Sequence, residues 1–409
     1  VSNPRPIRIA FVNTHPIQYF APLNADLNRA ADLSVTALYL SDYSVRGTTD
    51  QGFRKIVKWD VDLLQGYEAR FVRGADRRDE ATGFFSMVAP GLWHEVRGGG
   101  FDALVVHGHT PAAMMLAHAA AKASGIPVFM RCETHLGLAR SALKSRLRRP
   151  LIGTYYRRLD GVLAIGTANA EFYRAMGVPQ TRIFRMPYAV DNRRFIAGSR
   201  LTEAERQRRR AGFGVADDRP ILLYAAKFQH RKRPHDLLRA AAALGREGRA
   251  FALAMVGSGE METELRELVR QTGLTDIHFA GFVNQAALPS VYAACDVFVL
   301  PSENEPWGLA VNEAMCAGLP IVASSEIGCA PDLVHDGRNG HTFMAGDVPG
   351  LADALRPLIA DPGLRRRMGA ASRAIIERWS YAECRVGLRA ALASVGLGPV
   401  MAERAAAAR

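Results

Sequence analysis

The sequence predicts an α/β protein built from two Rossmann-like, doubly wound domains that face a cleft, and three observations predict it. Its 409 residues are too many for one ordinary core at about 100 to 200 residues per domain. Short apolar, strand-like runs alternate with helical stretches in two separate series, which implies parallel sheets covered on both faces. Between the series, residues 187–220 lose the alternation. That stretch holds Asp191, Asn192, Gly198 and the charged run 205–210, and it reads as a surface connection.

In chain order, the first series has strands at 7–12, 33–40, 102–106, 127–130 and 161–165, with helical stretches at 20–31, 112–123 and 168–176 between them. The second has strands at 221–225, 251–256, 277–280, 297–300 and 321–323. Residues 381–395 are apolar at helical spacing, and 401–409 form an Ala/Arg tail expected to fray. Ligands of such sheets lie beyond the carboxyl ends of the strands, so the site is sought there.

Composition excludes several classes. A hydrophobic fraction of 48% with 22% charged residues is that of a globular protein rather than a disordered one. The five cysteines are scattered, with no CxxC pair, and read as reduced thiols rather than a zinc site. No leader-like segment and no 18-residue apolar run is seen, so a cytoplasmic protein is expected. The net charge of +12, mostly arginine, fits phosphates, an anionic membrane surface or nucleic acid, and by itself does not choose among them.

Three constellations carry chemistry. The run from Ser302 to Pro320 contains Glu305-Pro306-Trp307-Gly308-Leu309 and then Glu313, with Gly318 and Pro320 placed to end a helix. Glu305 then sits before the helix and Glu313 within it, on the order of 10 Å apart. The helix start between them offers free N–H groups for phosphate, although a carboxylate there can simply cap the helix. The second is Lys227-Phe228-Gln229-His230-Arg231-Lys232-Arg233-Pro234, between a strand and a helix. Its cations repel one another, so a bound polyanion would relieve them; a solvated basic loop is the plainer reading. The third, Gly257-Ser258-Gly259, permits close backbone approach but lacks the third glycine of a dinucleotide fingerprint, which disfavours an oxidoreductase.

In this order the three pieces resemble the retaining glycosyltransferases of family 4, which share the two-domain GT-B fold. The resemblance covers nearly the whole C-terminal half: Lys227 and Lys232 at the family's spacing, the Gly257 and Gly259 loop, Phe279-Ala280-Gly281-Phe282-Val283, Glu305 with Glu313, and Gly328 to Gly340. It implies that Lys227 and Lys232 hold the donor diphosphate and that Glu313 accepts from ribose hydroxyls. Glu305 would lie by the transferred sugar, and backbone near Phe282 and Val283 would read the base. Trp307, Gly308 and Leu309 would bring N–H groups to sugar and phosphate. No cofactor and no divalent metal is implied. Residues 1–190 become the acceptor domain and 191–377 the nucleotide-sugar donor domain, with a C-terminal helix at 378–397 expected to pack back onto the first.

The acceptor half departs from the family pattern. After the first strand comes Asn13-Thr14-His15-Pro16-Ile17-Gln18-Tyr19-Phe20, where many relatives carry a Gly-Gly loop; His15 and Gln18 become the acceptor-side candidates, His15 being equally readable as structural. In Arg131-Cys132-Glu133-Thr134-His135, counting from Pro127, Glu133 falls at the place of the family's active-site histidine and His135 comes two later; either is a candidate to face the acceptor. A regular strand would point both side chains to one face, and an Arg131–Glu133 pair is the structural alternative. Asp60-Val61-Asp62 spells a metal-binding DxD and is read as chance. Residues 141–159 form a basic amphipathic surface suited to anionic membrane or to an ordinary core-facing helix.

The expected function is retaining transfer of a sugar from a UDP- or GDP-type donor to a hydroxyl acceptor, lipid-linked glycans included, in bacterial polysaccharide or glycolipid synthesis. Peripheral contact with the inner face of the plasma membrane is compatible with this, and no nucleic acid is expected. The alternatives are another GT-B enzyme, such as a nucleotide-sugar epimerase or phosphorylase, or an inactive basic binding protein.

Overall fold

The computed structural model describes residues 5–73, 83–108, 112–138 and 152–398. Most of the basic 141–159 surface therefore lies outside the described residues.

In the first half, β1 (Ile7–Asn13), β2 (Leu33–Tyr39), β5 (Glu68–Phe71), β6 (Ala103–His107), β7 (Val128–Arg131), β8 (Gly161–Ala164) and β9 (Ile183–Arg185) form one sheet in the order β5-β2-β1-β6-β7-β8-β9. In the second, β10 (Ile221–Ala225), β11 (Ala252–Val256), β12 (Ile277–Gly281), β13 (Val297–Leu300), β14 (Ile321–Ser324) and β15 (Gly340–Phe343) run in the order β12-β11-β10-β13-β14-β15. Every pairing within these two sheets is parallel. Central strands such as β8, β10 and β13 are buried along their length, which is why they read as continuous apolar runs. The short outer strands β5, β9 and β15 are partly exposed and carry polar residues; the sequence pattern missed them.

The order of strands reverses beside β1 in the first sheet, which leads to β2 on one side and β6 on the other. It reverses beside β10 in the second, flanked by β11 and β13. Crevices at the carboxyl ends of a doubly wound sheet form at such reversals. A small antiparallel hairpin, β3 (Thr48–Asp50) with β4 (Lys55–Val57), stands apart from both sheets.

The connection expected at 187–220 is largely helical, with helices at Asn192–Gly198 and Glu203–Gly212. The second begins with a capping box in which the Thr202 hydroxyl accepts from the Glu205 N–H while the Glu205 carboxylate accepts from the Thr202 N–H. Its Arg210 is buried. It donates to Asp296 at 2.8 Å and to the carbonyls of Asp217 and Arg219 at 3.0 and 2.6 Å, tying the helix beneath the second sheet. The stretch expected as a surface connection is thus a helix docked through Arg210, while Arg208 and Arg209 stay exposed.

The C-terminal helix Tyr381–Ser394 sends Cys384, Leu388 and Leu392 into the core that covers Phe11, Val105 and Phe129 of the first sheet. Just before it, Trp379 stacks on Trp307 of the second half with ring centroids 5.7 Å apart, so the chain crosses back between the halves at this point.

Truncating Arg210 leaves the half-buried Asp296 with Arg206 as its cationic partner and strands the carbonyls of Asp217 and Arg219 without their buried donor. Arg210→Ala is expected to cost about 2 kcal/mol, read as a lower midpoint of chemical unfolding with secondary structure retained.

Candidate active site

A cleft of about 670 Å³ lies between the carboxyl edges of the two sheets. It gathers residues from the two reversal points and from the hairpin. From the first half come His15, Gln18, Asp50 and Glu133; from the second, Lys227, Lys232, Gly257, Phe282, Val283 and Glu305, with Trp307, Gly308, Leu309 and Glu313 along the helix start. His135 is not among its walls.

The loop after β10 supplies the cations. Its crowding is already relieved by protein carboxylates, which corrects the expectation that a polyanion is needed for that purpose. Lys227 donates to both Asp50 oxygens at 2.8 and 3.0 Å. Lys232 and Arg231 share Glu305, the latter at 3.3 Å, and Arg233 pairs with Asp236 and Glu303. Lys232 is largely buried, and that burial pushes its ammonium pKa below the usual lysine range, against the pull of Glu305. A ligand anion arriving here competes for cations that are already paired.

Beyond β13 the helix Leu309–Cys316 opens at Gly308, whose φ of 96° suits glycine; a Cβ there would stand 2.7 Å from an Ile327 methyl. The first-turn N–H groups of Gly308, Leu309 and Ala310 border the cleft, where an anion would meet the positive end of the helix. Gly257 is needed for a different reason. A Cβ on it would come within 2.1 Å of the Ala226 carbonyl oxygen, so its absence lets the loop after β11 lie against the lysine loop.

Glu313 is buried and accepts from the Tyr19 hydroxyl at 3.0 Å and the Tyr292 hydroxyl at 2.8 Å. Burial raises its pKa, while the two tyrosines and Arg194 pull it down. Tyr19 was missed by sequence reasoning although it stands next to Gln18, and it carries the contact between the β1 loop and the second half. The Trp307 indole N–H bonds Asn312 at 2.9 Å, whose amide in turn donates to the Tyr188 carbonyl at 2.9 Å.

On the acceptor side, β7 ends at Arg131, so the period of two does not extend to residues 133 and 135. Glu133 turns to the cleft, accepts from the Tyr188 hydroxyl at 2.6 Å, and has its pKa raised by burial. His135 is buried against the second half. Its Nε2–H donates to the Glu305 carbonyl at 3.1 Å and its Nδ1 accepts from the Gly137 N–H at 3.2 Å. It positions the Glu305 loop rather than facing the cleft. His15 hydrogen-bonds through its two ring nitrogens with the Thr14 and Tyr43 hydroxyls, each at 2.9 Å, and burial lowers its pKa to about 4.

The hairpin and its flanks form a strap from the first half across the second, and no local pattern in the chain announces it. Besides the Asp50–Lys227 pair, the Phe53 carbonyl accepts from Ser258 at 2.9 Å, the Lys58 carbonyl from Asn284 at 2.7 Å, and Asp60 from the Ala286 N–H at 3.0 Å. Phe53 and Trp59 flank Phe282, with centroids 4.8 and 6.2 Å away. The Asp60-Val61-Asp62 triplet is divided between two structural tasks, since Asp62 accepts from the Leu64 N–H within its own turn at 2.9 Å. Among the described residues no group of three or more His, Cys, Asp or Glu side chains is arranged to hold a metal ion.

Two parallel α/β units with a charged cleft between their reversal points define a GT-B protein, the class of many enzymes that act on nucleotide sugars. Residues 205–375 match the family model described as glycosyl transferases group 1, and residues 28–189 match that of a glycosyl transferase 4-like domain. The chain belongs to the group 1 glycosyltransferases. It is 33% identical to an alpha-D-kanosaminyltransferase of Streptomyces kanamyceticus over 202 residues, 49% of this chain and 51% of that protein. It is 29% identical to a 2-deoxystreptamine glucosyltransferase of the same organism over 258 residues, 61% of this chain and 66% of that one. The chain thus spans about half to two thirds of the length of these curated relatives. The fold is similar to that of Anabaena HepE crystallised with UDP, with a TM-score of 0.72 and 18% identity over 95% of this chain and 100% of the other.

Two outcomes test this geometry. The unfolded chain protonates His15 near pH 6.5 and the folded one only near 4, so the fold loses stability as pH falls through that window. His15→Gln is expected to remove a loss on the order of 2–3 kcal/mol between those limits, seen as a flatter plot of unfolding free energy against pH. Asp50→Asn should free Lys227 and tighten UDP or GDP binding about three- to tenfold by calorimetry; weaker binding would mean that the strap's order matters more than the charge it withholds.

Proposed function

We propose that this protein transfers a sugar from a nucleoside diphosphate donor, of the UDP or GDP type, to a hydroxyl acceptor, with retention of anomeric configuration and without a divalent metal. The observation that carries the reading is the convergence of Lys227, Arg231, Lys232 and the Gly308–Ala310 helix start on one cleft that Glu313 borders. The cations and helix N–H groups suit a diphosphate, and they remain in place as negative charge develops on the departing nucleotide. Glu313, fixed by Tyr19 and Tyr292, suits ribose hydroxyls, and Phe282 with Phe53 and Trp59 suits the base.

In this mechanism the donor phosphates take a share of Lys232 from Glu305, and the freed carboxylate oxygen turns to hydroxyls of the transferred sugar. The acceptor enters from the Glu133 side, and its hydroxyl attacks the anomeric carbon on the face from which the diphosphate leaves. The leaving oxygen, close to that hydroxyl, is the base that takes its proton. Glu133, biased toward its protonated form by burial, serves to hold and orient the acceptor. Assembly of a polysaccharide or glycolipid is the setting this reading fits, and the named activities of the Streptomyces relatives support a sugar-transferring role. No helix among the described residues is long and apolar enough to cross a membrane.

The test is a panel of nucleotide sugars scored for protection against thermal unfolding, followed by nucleotide release in the presence of candidate acceptors. At least one uridine or guanosine donor is expected to protect and be consumed without added metal. Lys232→Ala is expected to lower kcat by about 10²–10³ with the fold intact. A panel in which no donor protects the protein and none is consumed would overturn the assignment, and an inverted anomeric centre in the product would overturn retention alone.

A further inference from the structure

A second cavity of about 340 Å³ adjoins the cleft on the first-half side and shares Thr14, Ile17, Glu133 and Tyr188 with it. It sits at the carboxyl ends of β1, β6 and β7, beside the reversal point of the first sheet, and those three strands each end in a polar residue: Asn13, His107 and Arg131. His107 lies directly opposite Arg131 in the β6–β7 register. Asn13 extends β1, which is paired to β6 up to Val12 and Val106.

These three side chains line the cavity with unmet hydrogen-bonding capacity. Asn13 and Arg131 are each 2% exposed, yet both amide atoms of Asn13, Nε and Nη1 of Arg131, and Nε2 of His107 have no partner among the described residues. Only Nη2 of Arg131 is engaged there by a hydrogen bond, to the Pro187 carbonyl at 3.1 Å. Its guanidinium lies 5.5 and 5.3 Å from the Phe20 and Tyr188 ring centres, contacts that steady the charge while Nε and Nη1 have no hydrogen-bond acceptor among the described residues. No carboxylate is within ion-pair distance of it among the described residues. The Arg131–Glu133 pair considered from sequence is not formed, because Glu133 is turned to Tyr188. A buried, unpaired guanidinium beside an unsatisfied amide is costly, and a cavity of this size holds a sugar-sized group.

We propose that this cavity is an acceptor subsite for an anionic substituent, a carboxylate or a phosphate on a sugar or polyol, which Arg131 recognises with the help of Asn13 and His107. The inference rests on the transferase reading above and adds the charge class of the acceptor. Its geometry is consistent with that reading: an acceptor anchored here by its anion extends a hydroxyl past Glu133 into the cleft. His107 is held neutral by burial and by the neighbouring Arg131, so it contributes a hydrogen bond without a second charge. Burial biases Glu133 toward its neutral form, against the pull of Tyr188 and Arg131, and this softens the repulsion that an incoming anion would otherwise meet.

The test titrates protein saturated with UDP or GDP, so that Lys227 and Lys232 are occupied, with D-glucose, D-glucuronate and D-glucose 6-phosphate. Binding is read by calorimetry or ligand-observed NMR. At least one charged sugar is expected to bind about tenfold or more tightly than glucose, and the two arms separate carboxylate from phosphate. Arg131→Met should abolish that preference, Arg131→Lys should restore part of it, and nucleotide affinity should stay within about twofold throughout. Should Arg131→Met fail to fold, Asn13→Leu serves in its place, with a loss of about three- to tenfold expected. Equal affinity for charged and neutral sugars, or a charged-sugar preference that survives both Arg131→Met and Asn13→Leu, overturns the proposal. The titration is repeated without nucleotide on Lys227→Ala/Lys232→Ala protein, so absence of nucleotide binding would count against the donor reading alone.

Discussion

The structure depends on how positive charge is neutralised at the carboxyl end of β10. Three cations, Lys227, Arg231 and Lys232, reach a cleft where burial already makes Lys232 less willing to hold its proton. In the form described, two carboxylates answer them, and they come from different places: Asp50 from the hairpin of the first half and Glu305 from the loop after β13. Coulomb attraction in such a partly dry crevice is strong enough to hold side chains but is offset by the cost of drying them, so the balance tolerates exchange of one anion for another. A site whose cations are already matched by carboxylates can exchange them for an arriving anion without leaving bare charge.

The same economy explains why the two halves meet where they do. Tyr19 lends its hydroxyl to Glu313, His135 bonds the carbonyl of Glu305, and Asn312 reaches the Tyr188 carbonyl. Each contact joins a residue of the first half to the loop or helix that follows β13. The carboxylates that border the cleft are therefore positioned from both sides, and closure of the halves and assembly of the site become one event. A change in Tyr19 or His135 would act on the donor side although both residues belong to the other sheet.

Much of this was legible in the sequence, and the reason is burial. Central parallel strands are apolar throughout, so β10 and β13 were found at their observed bounds, and the loops that follow them were correctly placed at strand ends. Edge strands such as β5 and β9 carry too few buried residues to leave a pattern. The helix Glu203–Gly212 did leave a signal, a threonine followed three residues later by glutamate, which its arginines obscured. The strap left none. Asp50, Phe53 and Trp59 gain their roles from Lys227, Ser258 and Phe282, nearly two hundred residues away or more, and no local periodicity encodes such partners. For Glu133 and His135 the sequence reading depended on a regular strand; the strand stops at Arg131, and the irregular backbone beyond it sends the two side chains apart.

The two cavities also differ in how their charges are met, and that difference orders them in function. Around the larger one the protein supplies its own counter-ions, so an arriving anion exchanges with carboxylates instead of meeting unpaired cations. In the smaller one no carboxylate among the described residues forms an ion pair with Arg131; Glu133 feels its charge but gives its hydrogen bond to Tyr188. Unpartnered polar atoms occur elsewhere among the described residues as well, but here those of Asn13, His107 and Arg131 gather around one cavity, where a single ligand could meet them together. A transferase needs its donor bound tightly but its acceptor chosen selectively. Unmet donors that only one class of molecule can satisfy provide that selectivity, because a molecule lacking the matching group leaves them buried and unpaired.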